Sequence, residues 1–182
     1  MTARPAPPEP TPRPRVLAGA DALDRFLGGL VEATFQTELG VADPTLTDYL
    51  SGLLARFVSL DRVFCLRDET GGRIQEVAGM LVEADAREGR PRRQAFRHAG
   101  DVALFYTGVY PERLRRRGSS DALLNVSELG KTAYRHAADL PADPARDGDV
   151  DDEPVLHRLA DEFDLCGVGL GRVRREWEKL AA

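Results

Sequence analysis

Lysine is nearly missing from this chain: Lys131 and Lys179 stand against 23 arginines. The bias reads as GC-rich coding. Physically it supplies guanidinium groups, which stay charged and hold bidentate pairs, so a tight ion-pair network is expected. Histidine is scarce too, with three residues in 182, which leaves little room for a hidden catalytic triad. No Gly-x-Ser-x-Gly and no local Cys-His pattern occurs, so nucleophilic catalysis has no support. The two cysteines, Cys65 and Cys166, stand far apart with no Cys-x-x-Cys spacing, which excludes a zinc ribbon or a disulfide framework. Both sit among apolar neighbours and read as small buried hydrophobes in a reducing compartment. No run reaches the roughly 18 apolar residues that a bilayer span needs. With no secretory leader pattern either, the expectation is a cytoplasmic protein with no membrane role.

The net charge is -5, which disfavours nucleic acid and anionic membrane as partners. Arginine clusters do occur, at Arg87, Arg90, Arg92, Arg93 and Arg97 and again at Arg113, Arg115, Arg116 and Arg117. Without a helix-turn-helix signature they read as solvated helix ends paired with Asp and Glu.

What is present is helical periodicity. The hydrophobic content of 42% is enough for a real core. Residues 1–15 hold six prolines and form a low-complexity tail, expected to be disordered, with Pro7-x-x-Pro10 as a minimal proline-groove ligand pattern. Residues 16–182 then read as one domain. A first helix runs over about 20–39, with Gly40 placed to cap it. Asp43-Pro44 opens a second, as N-cap and first-turn proline. The 62–66 piece fits either a helix extension or a short extended run. A third helix spans about 73–88, with Gly89-Arg90-Pro91 as its stop. Further helices are expected over 120–140 and from Pro154, then a Gly167–Gly171 junction and a final amphipathic helix carrying Val173, Trp177 and Leu180. The fold class is therefore all-α, an irregular bundle of six or seven helices.

The centre of the chain is Phe96 to Leu114. Phe96, Ala99, Gly100, Ala103, Leu104 and Thr107 recur at helical spacing, while Val102, Phe105, Tyr106 and Val109 cover much of the rest. A helix apolar nearly all round is a central one. Pro111 ends it and restarts a short helix.

This stretch, His98-x-Gly100-Asp101-x-Ala103-Leu104-Phe105-x-x-Gly108-x-x-Pro111-Glu112, followed by Gly130-Lys-Thr-Ala-Tyr134, resembles a pattern in a family of bacterial all-helical proteins. The resemblance covers residues 94–137. It implies a bacterial origin and a helical fold, and carries no activity, cofactor or functional residue.

Two sites follow from the residues themselves. His98 and Asp101 lie one turn apart, and His136 on another helix could join them, which would make a metal-ligand set of His98, Asp101 and His136. The Glu-x-x-His and His-Glu-x-x-His spacings of helical metal enzymes are absent, and a His–Asp pair satisfying itself at the core edge is the simpler reading. Phe105, Tyr106 and Tyr110, near a helix end, are candidate anchors for a protein partner or a second copy. Asp147, Asp149 and Asp151 alternate as in a calcium loop, but Asp152 and Arg158 stand where Gly and Glu are needed. Gly167, Gly169 and Gly171 lack the Lys-Ser/Thr of a phosphate loop. The function expected is a non-enzymatic interaction or scaffold module without a cofactor. The alternative is a metal-dependent helical enzyme or metal-binding protein.

Overall fold

The structure is a computed structural model that describes residues 19–58, 63, 65–67, 71–117, 120–141 and 153–180. The Pro-rich segment and the acidic 147–151 stretch lie outside the described residues. Among these residues the fold is all-helical, with eight helices and no strand: α1 (Gly19–Leu39), α2 (Pro44–Phe57), α3 (Val77–Asp85), α4 (Gly89–Gly108), α5 (Pro111–Arg117), α6 (Ser120–Asp139), α7 (Glu153–Asp161) and α8 (Phe163–Leu180). The count exceeds the six or seven expected, because the restart at Pro111 stands as a helix of its own.

Local chemistry sets the boundaries. Gly40 takes φ 67° at the end of α1, a conformation that glycine adopts without a steric cost. Asp43 caps α2, its side chain accepting from the Leu46 N–H at 3.2 Å, and Pro44 follows in the first turn. The α3 start falls four residues later than expected. Arg67 and Arg73 form an isolated antiparallel bridge, and Ile74 N–H donates to Leu66 O at 3.1 Å, so this backbone is already committed. In α3 the buried positions are Val77, Met80 and Ala84, and Val82 faces solvent.

Two other readings are corrected. Gly89-Arg90-Pro91 opens α4, because a proline in the first turn gives up an N–H that has no helical partner there. The glycine-rich 167–171 segment is a continuous part of α8, and the break falls at Glu162 instead. The reason lies in packing. A Cβ at Gly169 would sit 2.2 Å from the Phe35 ring of α1, so the missing side chain is what lets the helices close.

At the centre lies α4. It packs most extensively on α6, and also on α3, α8 and α2. Phe96, Ala99, Val102, Ala103, Leu104 and Phe105 are all buried, as its all-round apolar pattern requires. The first helix runs antiparallel to the last: Glu38 meets Arg172 at one end, Phe35 sits over Gly169, and Phe26 meets the Trp177 ring edge-on at the other.

Candidate functional site

Asp101 is a buried carboxylate at the middle of α4. Both of its oxygens accept hydrogen bonds. Tyr49 Oη donates to Oδ1 at 2.7 Å and Tyr134 Oη donates to the same atom at 2.9 Å. Arg56 Nη2 donates to Oδ2 at 3.0 Å. Arg97 Nε donates to Tyr49 Oη at 3.1 Å, and both guanidiniums lie over the Tyr49 ring. One carboxylate thus joins α2, α4 and α6. Tyr134 reaches it because a Cβ at position 100 would lie 2.7 Å from its ring, so Gly100 makes the room. Burial, then the nearby Asp101 charge, pushes both phenols well above their ordinary range, so they remain protonated donors. A buried carboxylate with three donors from two other helices on its two oxygens organises those helices.

His98 turns elsewhere. Its Nε2 lies 3.0 Å from the Val63 carbonyl, which can only accept, so Nε2 carries the proton. The ring also meets Phe57 edge-on. Burial lowers its pKa below 6.5, with the Asp101 charge opposing in part. Cys65 Sγ lies 3.4 Å from Nε2 and 3.9 Å from Nδ1. This thiol is exposed, contrary to its expected burial, because Val63 and Leu66 take the inward positions of the segment. Partial burial of the sulfur, the largest influence, raises its pKa and disfavours the thiolate, and the protonated Nε2 is no base toward it. Cys166 is buried, as expected, its thiol pushed up to about 12 by burial and by Glu162.

His136 stands apart from both. It lies exposed on α6 with its ring 4.9 Å from that of Phe96. Phe96 and His98 are two residues apart in one helix, about 200° around its axis, so His136 faces the other side of α4 from His98. Hence His98, Asp101 and His136 each hold separate partners and do not assemble into one ligand set. Among the described residues no three His, Cys, Asp or Glu side chains group as a metal would need.

The candidate anchors do come together. Phe105, Tyr106 and Tyr110 line a cavity of about 440 Å³ between α2, the end of α4 and α8. Leu54, Phe57, Leu170 and Val173 contribute apolar walls. At its edge stand Val58 and Trp177, 55% and 38% exposed, the uncovered apolar surface of the groove. Arg174 closes one side. It donates to Val109 O, to Glu112 at 2.7 Å and to Glu178 at 2.8 Å, and its guanidinium lies 4.8 Å from the Tyr110 ring centroid. Arg113 lies over the same ring. The sequence already grouped Tyr106 with Tyr110, but not with Val58, Arg174 or Trp177. The signal available for Trp177 was its place four residues after Val173 on one face of α8. That α2 would join them has no local signature.

Three arginines of the first cluster have partners. Arg87 meets Glu83 and Arg92 meets Asp85, both at 2.9 Å, and Arg93 donates to Leu140 O. Among the described residues no helix is long and apolar enough to cross a membrane. No family model, curated protein or solved structure matches the chain.

Proposed function

We propose that this protein is a non-enzymatic helical interaction module, and that its binding site is the groove between α2, α4 and α8. The observation that carries the reading is the groove itself: an aromatic-lined cavity of about 440 Å³ with Val58 and Trp177 left uncovered at its lip. Its size falls in the range of roughly 300–1,000 Å³ typical of binding pockets. Aromatic and arginine side chains at the centre of an apolar concavity are the residues that dominate binding energy at protein interfaces. The partner's contribution is an apolar segment whose side chains enter between Tyr106, Tyr110 and Trp177. By contrast, both carboxylate oxygens of Asp101 accept from Tyr49, Tyr134 and Arg56, so that group serves the packing of the helices.

The test is affinity capture by the full chain, compared with Val58→Glu and with Tyr106→Ala combined with Tyr110→Ala. Val58 is exposed, so Val58→Glu places a carboxylate at the groove mouth at a stability cost within about 0.5 kcal/mol. A partner or self-association retained by the parent chain and lost in both variants, with helix content unchanged, supports the reading. Identical partners and identical oligomeric state in all three chains overturn it.

A further inference from the structure

We propose that the groove between α2, α4 and α8 also takes a small amphiphilic carboxylate, its apolar body in the cavity and its carboxylate on Arg113. The inference rests on the reading of that groove as a binding site and names a ligand class for it.

The walls set the body of the ligand. Leu54, Phe57, Phe105, Leu170 and Val173 line the cavity, and each of them is buried. These side chains carry no polar atom. A ligand that fills the inner cavity must therefore keep its own polar atoms at the mouth, because a polar group carried inward would lose its water without gaining a partner from these walls. A peptide backbone, with a donor and an acceptor at nearly every residue, is confined to the lip by the same rule. An apolar chain or ring with one polar end is not. At about 30 Å³ for each water-sized group, the cavity of about 440 Å³ holds on the order of 15 non-hydrogen atoms.

Charge sets the head group. Three charged side chains line the groove: Arg113, Arg174 and Glu178. Arg174 is committed, donating to Glu112 at 2.7 Å and to Glu178 at 2.8 Å, and Glu178 is thereby paired. Arg113 differs. It is exposed on α5, its guanidinium lies 5.5 Å from the Tyr110 ring centroid, and among the described residues no carboxylate pairs with it. The mouth thus carries one uncompensated positive charge. The planar fork of a guanidinium matches the two oxygens of a carboxylate, whereas a cationic head would be repelled there.

The two subsites are one ring apart. Tyr110 carries the Arg113 guanidinium over its ring and meets the Phe105 ring edge-on at 5.4 Å. Phe105 belongs to the buried wall, so a molecule whose head lies on Arg113 passes Tyr110 directly into the cavity. Its occupancy excludes the side chains of a partner segment from the same space, and the apparent affinity for that partner falls accordingly.

The chain has one tryptophan, Trp177, and it stands in the groove. Its fluorescence in the full chain reports a titration with decanoate, kept below micelle-forming concentrations. With about 12 non-hydrogen atoms, decanoate fits the volume. Decanol and decyltrimethylammonium supply the same apolar body with a neutral and a cationic head. The expected result is saturable binding of decanoate, at least about threefold tighter than decanol, with decyltrimethylammonium weaker than either. Arg113→Gln should remove the preference for decanoate over decanol, and Arg113→Glu should reverse it, while the affinity for decanol stays within about twofold in both. Arg113 is exposed, so these variants leave the buried core alone, and circular dichroism confirms their helix content. Absence of saturable decanoate binding overturns the proposal. Equal affinity for decanoate and decanol in the parent chain overturns it as well, and so does a decanoate preference that survives Arg113→Gln. The capture test above is made with Arg113 intact and no added carboxylate. Its failure leaves the decanoate preference unaltered, and a failed titration leaves a captured partner in place, so the two readings fail separately.

Discussion

Asp101 binds three helices through one side chain, and the consequences can be measured residue by residue. Removing its carboxylate leaves the Tyr49 and Tyr134 hydroxyls as buried donors without their acceptor, while Arg56, whose side chain is 37% exposed, can turn to water. Each orphaned hydroxyl costs about 1–3 kcal/mol. Asp101→Ala should lower unfolding free energy by about 3 kcal/mol in urea titrations, whereas Tyr134→Phe, which leaves the carboxylate two donors, should cost about 1 kcal/mol. Equal losses in the two variants would show that the network does not act through the shared carboxylate. His98 makes a different prediction. Its pKa in the folded chain lies below the ordinary 6.5, chiefly through burial. The unfolded chain therefore takes up the proton first as pH falls. The stability held by neutral His98 is complete above about pH 6.5 and is lost on acidification toward the lowered folded value, with a slope of at most about 1.4 kcal/mol per pH unit. His98→Gln should flatten that part of the stability profile between pH 7.5 and 5. A variant profile parallel to that of the parent chain would refute it. Helical spacing placed His98 and Asp101 side by side in the sequence, but their true partners are remote. Tyr49 and Tyr134 stand 52 and 33 positions from Asp101, a distance at which no periodicity speaks.

At the scale of the element, glycine has two opposite roles here. Gly169 is needed for closeness, since a Cβ there would meet the Phe35 ring at 2.2 Å. Gly28 and Gly29, within α1, have no heavy atom within 4 Å of a built Cβ. Thermal denaturation should separate them. Gly169→Ala should destabilise by about 1–3 kcal/mol through overpacking. Gly28→Ala and Gly29→Ala should each stabilise by about 0.5–1 kcal/mol, because alanine loses less chain entropy in a helix. A stabilising Gly169→Ala would mean that the α1–α8 contact is looser than described. The same contrast explains what was legible beforehand. Caps and apolar stripes are local, so α1, α2 and the buried faces of α4 were readable from Asp43, Pro44, Gly40 and the run from Phe96 to Phe105. Gly167–Gly171 looked like a junction because glycine lowers helix propensity. What overrides propensity there is the ring of Phe35, from a helix more than a hundred residues earlier, and nothing in the glycine run announces it.

Across the whole molecule, the groove is a product of assembly. Its walls come from α2, the end of α4 and α8, and α1 braces α8 through Glu38–Arg172 and Phe26–Trp177. Only the α4 contribution, Phe105 with Tyr106 and Tyr110, was visible as a local cluster. The remainder depends on which helices meet, and that is decided by long-range packing. This arrangement makes Trp177 a reporter on more than its own helix. If α1, α2, α4 and α8 share one core, the environment of Trp177 persists until the entire bundle opens. Urea unfolding followed by tryptophan fluorescence and by far-ultraviolet circular dichroism should then give coincident transitions with one midpoint and one slope. A fluorescence transition at lower urea than the loss of helix would show α8 peeling away first. The groove would then be a surface that opens without global unfolding, and Gly169, at the tightest α1–α8 contact, would control where that separation begins.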